Sequence, residues 1–179
     1  MYYLWTFIIY GMAGCFLETI FCLLVTKKFS NRKTMLILPI CPVYGIGAVT
    51  MTAFLGILKY SPLILFGGGF LVGTAVEYLY SFFFDKVFKI LNWDYSEHKY
   101  TINGRISLYF SMVWGFLAVV LLYLLEPVTD VLINIIPKSF GIAALSLVLL
   151  DTALTFFMFY RIGRGKSSSK LFPAIRSIL

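Results

Sequence analysis

Five apolar runs, each long enough to cross a bilayer, constrain this chain more than any other feature. They cover roughly residues 2–26, 35–58, 63–84, 106–125 and 139–160 of 179. A helix needs about 20 apolar residues to span the hydrocarbon. The expected fold is an all-α membrane protein, a five-helix transmembrane bundle. It forms one transmembrane domain over 1–160 and ends in a basic tail over 161–179. The charged fraction of 13% is about half that of a soluble domain and supports the same class. No basic stretch precedes the first run and no clean cleavage site follows it, so it reads as a membrane helix rather than a signal peptide.

The charges that remain are unevenly placed. Thirteen of the 15 Lys and Arg residues fall in 27–34, 85–105 and the tail; only Lys59 and Lys138 lie on the other side. Positive loops stay in the cytoplasm, so the chain is expected in the cell membrane with its amino terminus outside and its carboxyl terminus inside. The net charge of +7 is thus spread between the runs, which argues for membrane lipids as partners and against nucleic acid. Segment 126–138 reads as a short interfacial helix. Segment 85–105 begins amphipathic and reads as lying along the inner surface.

Three carboxylates interrupt the oil: Glu18, Glu77 and Asp151. A charge at such depth costs from a few to about ten kcal/mol, so it marks a working site by default. Two of them share a pattern. Gly14 to Glu18 and Gly73 to Glu77 both read Gly-x-x-x-Glu, on runs that descend toward the cytoplasm. Each is followed by a polar signal, Asn31-Arg32-Lys33 or Asn103-Gly104-Arg105. Each rising run then carries an aromatic and a glycine, Tyr44-Gly45 or Trp114-Gly115. The order suggests a duplicated helix hairpin in parallel orientation, with the fifth run added. Gly11 and Gly14, like Gly69 and Gly73, share a helix face with the acid below them and allow close approach of a neighbour.

These residues define a candidate substrate or ion pocket in the cytoplasmic half of the bilayer: Glu18, Glu77, Tyr44, Arg105, Asn103, Asp151 and Cys41. Arg105 is the expected countercharge of Glu77 or Glu18; Asp151 pairs with Thr152, Thr155 or Arg105. Pro39 and Pro42 break the second run around Cys41, and broken backbone at that depth must be satisfied by protein or by water. Trp93, Asp94, Tyr95 and Ser96 crowd the cytoplasmic mouth. Cys15, Cys22 and Cys41 read as small apolar residues, and His98 as a solvated loop residue. Gly165-Lys166-Ser167 lacks the earlier glycine of a phosphate loop, since Tyr160 stands there. No ATPase motif, nucleophile triad or metal-ligand cluster is legible, so no catalytic residue, metal or cofactor is expected.

Gly14-x-x-x-Glu18, Asn31-Arg32, Cys41-Pro42-Val43-Tyr44-Gly45-Ile46-Gly47, Glu77-Tyr78, Trp93-Asp94-Tyr95-Ser96 and Asn103-Gly104-Arg105-Ile106-Ser107-Leu108 together resemble the CmpB-type ABC-transporter permeases. These are small bacterial polytopic membrane proteins. The resemblance extends to about residue 125, and Lys33 departs from the small residue expected after Asn-Arg. It implies a permease of the bacterial inner membrane and names no substrate. The first functional expectation is a permease or transporter subunit that works with copies of itself or with a separate ATPase subunit. The alternatives are a membrane-embedded enzyme acting on lipid head groups, its carboxylates serving as acid and base, and a non-catalytic assembly or sensor protein.

Overall fold

Where apolar residues run without interruption, the chain forms long helices. The structure, a computed structural model, describes residues 1–27 and 35–163. Helix α1 spans Tyr2–Thr26, α2 Pro42–Phe54 and α3 Pro62–Phe88. A small hairpin of β1 (Thr101–Ile102) and β2 (Ile106–Ser107) follows. Then come α4 (Leu108–Val120), a π-helical stretch at Leu121–Leu125, α5 (Glu126–Ile135) and α6 (Lys138–Gly163). Segment 31–33, which carries part of the repeat and of the resemblance, lies outside the described residues, as do tail residues 164–179.

Four described stretches are long and apolar enough to cross a membrane: Tyr2–Leu24, Pro62–Phe88, Leu108–Ile135 and Lys138–Arg161. The second expected span is not among them. Its helix is 13 residues long, and residues 35–41 before it are irregular. The cause is local: Pro39 and Pro42 lack donors, and Pro42 instead takes the first helical position. The fourth expected span and the expected interfacial helix are also revised. They form one continuous rod, Leu108–Ile135, because the π-helical turn at 121–125 absorbs the missing N–H of Pro127 without ending the helix.

Segment 85–105, expected to begin amphipathic and lie along the inner surface, begins instead as the end of a long apolar helix. Helix α3 simply continues to Phe88, where Lys89 adopts a left-handed cap (φ 58°). Phe88 and Ile90 then turn inward and join Phe84 and Phe159 in a buried cluster. The main core lies between α1, α2, α3 and α4, around Tyr10, Val43, Met51, Leu65, Trp114 and Leu121. Leu24, Leu71, Leu79 and Leu149 stay exposed, as expected of a surface facing lipid.

Two polar ties hold the far end of the bundle. Lys59 forms an ion pair with Glu126, and the Tyr123 hydroxyl donates to the Lys59 carbonyl. Tyr2 donates to Asp130 at 2.7 Å, and Tyr10 shares a hydrogen bond with Thr129 at 2.8 Å.

Candidate functional site

Each Gly-x-x-x-Glu segment presents a gap and an acid on one helix face, and a ring from the next helix fills the gap. At Gly14 an added Cβ would fall inside the Tyr44 ring. The Tyr44 hydroxyl then reaches one turn down and donates to Glu18 Oε1 at 2.8 Å. At Gly73 an added Cβ would fall inside Trp114. Trp114 Nε1–H donates to Glu77 Oε2 at 3.1 Å. The two rings meet, with centroids 5.4 Å apart and planes at 36°. A continuous line therefore runs Glu18–Tyr44–Trp114–Glu77.

Glu77 has a second donor, the Tyr95 hydroxyl, at 3.0 Å from Oε1. Tyr95 comes from the loop between α3 and α4, outside the spanning helices. Burial raises its phenol above the ordinary value, with the Glu77 charge adding to the effect. Glu77 is only 5% exposed, whereas Glu18 is half-buried. Among the described residues neither acid has an ion-pair partner; the pairs formed are Lys59–Glu126 and Arg105–Asp85.

Residues 5–159 fit the family model described as "Putative ABC-transporter type IV", the CmpB group. The chain belongs to that family. The match extends past residue 125, where the sequence resemblance ended, and takes in α6. With four apolar helices of spanning length, this CmpB-group chain is a multi-pass membrane protein. No curated protein and no solved structure matches it significantly.

The remaining expected site residues fall elsewhere. Arg105 is not the countercharge of either glutamate. Its guanidinium pairs with Asp85 at 2.7 Å, bonds the Ser81 carbonyl at 3.2 Å and lies 5.7 Å from the Phe82 ring centroid. Asp85 sits nearer the loop than Glu77, so it meets the arginine first. Asp151 does not join the acids either. One carboxylate oxygen accepts from the Ile37 N–H at 3.0 Å and the other from the Leu38 N–H at 2.7 Å; Thr155 donates to the same group at 3.2 Å. The Thr155 hydroxyl accepts from the Leu36 N–H. These side chains accept from the N–H groups of the irregular stretch before α2, which accounts for an acid 1% exposed at that depth.

Cys41 is the buried residue preceding α2, and its N–H donates to the Gly11 carbonyl at 3.0 Å. Asn103 donates to the Tyr78 hydroxyl at 3.1 Å from an exposed turn. Trp93 Nε1–H donates to the Arg105 carbonyl at 2.7 Å, and Asp94 accepts from the Ser96 N–H and hydroxyl. His98 is exposed but packs edge-on against Tyr95. Of the mouth residues only Tyr95 reaches the cradle. Trp114 was not among the expected site residues, although the repeat aligned it with Tyr44. That alignment was the signal for its role.

Proposed function

We propose that this chain is a permease-like subunit whose polar pocket is the cradle of Glu18, Tyr44, Trp114 and Glu77. What carries the reading is the pair of intramembrane carboxylates, each bonded to neutral donors from the neighbouring helix. A carboxylate removed from water needs a proton or a cation. The cradle therefore suits a cationic cargo, or a proton moved in step with cargo, bounded by aromatic faces that favour positive charge.

Two repeated contacts support a duplicated origin for the pocket. Gly45 packs on Phe7 as Gly115 packs on Phe66, in each case against both ring and carbonyl. Each phenylalanine stands two turns before the glycine of its own Gly-x-x-x-Glu segment. By the positive-inside count, the pocket lies in the cytoplasmic half of the cell membrane, with the amino terminus outside. The sequence carries no nucleotide-hydrolysing motif, so its energy would come from a separate ATPase subunit or from an ion gradient. A second copy would enlarge the pore.

The test is cation binding to the purified protein. Thermal unfolding in detergent would be followed against sodium, potassium, magnesium and tetramethylammonium. The expected result is that one of these stabilises the wild type, while Glu18→Gln and Glu77→Gln fold normally and lose the shift. Two unstable variants, together with a wild type indifferent to every cation, would reduce the acids to assembly contacts.

A further inference from the structure

Glu77 is touched from outside the spanning helices by one described side chain, and the loop that delivers it is built to hold that side chain at a set place. The neck of the loop is fixed. Trp93 stacks on Tyr80 with centroids 6.0 Å apart and planes at 7°, and it donates to the carbonyl of Arg105, which is anchored on Asp85. Between these two anchors, residues 94–104 fold on themselves. The Tyr95 N–H donates to the Gly104 carbonyl at 2.8 Å, and the His98 N–H donates to the Tyr95 carbonyl at 2.9 Å.

The turn that permits this is Asn103-Gly104, both left-handed at φ 53° and 66°. A side chain at 104 would strike the Asp94 carboxylate and the Ser96 hydroxyl, so glycine is required twice over. The sequence block Trp-Asp-Tyr-Ser and Asn-Gly-Arg is thus one device: Trp93 anchors it and the Tyr95 phenol is what it delivers to Glu77.

Most of the loop is exposed, whereas its base is packed. The segment is held to the helices by the Tyr95–Glu77 bond, by the stack of Tyr95 on Phe110 (4.7 Å, 18°), by His98 beside the same ring (5.9 Å) and by Asn103 on Tyr78, while β1 pairs with β2 and the Leu108 N–H donates to the Tyr100 carbonyl at 3.1 Å. Tyr100 is also left-handed at φ 57°, a conformation rarely adopted by a bulky residue, and it marks a strained point within the loop. Residues 96–100 are exposed and include the strained point, so this outer turn is less stable locally than the packed neck. Glu18 has no corresponding phenol from a loop among the described residues.

We propose that residues 94–104 are a gate, with Tyr95 as its latch on Glu77, controlling water and cargo access to the cradle from the loop side. This rests on the cradle being the transport pocket. Opening would lift Tyr95 and the exposed turn at 96–100 and leave the β1–β2 pairing and the helices in place.

The test reads access and needs no cargo. Ser111 is buried on the α4 face that carries Trp114, and Ser111→Cys is a conservative reporter. A water-soluble maleimide would be applied to the full chain in detergent. Mass spectrometry would read the peptide that carries the reporter thiol, so the native cysteines stay. The expected result is slow labelling with Tyr95 present, a few-fold faster labelling in Tyr95→Phe and about tenfold or more in Tyr95→Ala. Tyr95→Phe keeps the ring stack, so it remains informative if the alanine variant fails to fold. Labelling at one rate in all three would overturn the gate. If labelling depends on Tyr95 but no cation binds, the gate stands and the cationic cargo falls. If cations bind while labelling is indifferent, the reverse holds.

Discussion

The two acid-bearing hairpins use one contact in two settings. In the first, Glu18 is half-buried, accepts from Tyr44 alone among the described residues, and faces a short helix entered from irregular backbone. In the second, Glu77 is buried, has donors in Trp114 and Tyr95, and faces a full-length helix. The same glycine–ring–carboxylate unit is therefore compatible with an open and with a closed acid. What distinguishes them is support from outside the unit: Asp151 braces the first hairpin, and the loop at 94–104 covers the second.

The largest expected effect breaks the brace. Asp151→Ala orphans the Ile37 and Leu38 N–H groups at membrane depth, at roughly 1–3 kcal/mol each. The first hairpin should loosen, seen as faster proteolysis between residues 27 and 42, while α3 and α4 keep their protection. Asp151→Asn should be milder, since one oxygen still accepts. Equal loosening of both hairpins would sink the division between them.

Next come the glycines. Gly73→Ala and Gly14→Ala each force a methyl into a ring, an overpacking worth about 1–3 kcal/mol. The buried Trp114 has less room than the half-buried Tyr44, so Gly73→Ala should lower the denaturation midpoint further. The donors sharpen the same contrast. Trp114→Phe leaves a buried carboxylate short of a partner and should cost about 1–3 kcal/mol, while Tyr44→Phe should cost less, because the Glu18 position has more access to its surroundings. Double-mutant cycles with Glu77→Gln and Glu18→Gln would measure each pair.

The smallest effect lies at the gate's rim. Ser96 donors hold the exposed Asp94 carboxyl below the usual range. A depressed folded value adds stability above the unfolded value, and that stability is lost as pH falls through the folded one. Amide exchange at residues 95–104 should therefore rise slightly relative to α3 at acid pH, and Asp94→Asn should abolish that pH dependence.

Much of this contrast is legible in the sequence. Four of five spans follow from length and hydropathy, and the Gly-x-x-x-Glu repeat pointed to both acids and to Tyr44. Most of the failures share a cause, a partner that lies elsewhere in the sequence. Pro39 and Pro42 announced a break but not that Asp151 would repair it. Arg105 announced a countercharge, yet Asp85 lay closer. Segment 126–138 read as a separate interfacial helix, and only the π-helical turn at 121–125 shows why the rod continues. Tyr95 read as one of four residues at the cytoplasmic mouth, because nothing local reveals that the Asn103-Gly104 turn aims it at Glu77.

The hydrogen bonds from Ile37 and Leu38 to Asp151 join points more than 110 residues apart. During synthesis, the stretch at 35–41 leaves the ribosome long before its acceptor exists. The bonds that complete the early hairpin can form only after α6 has been made.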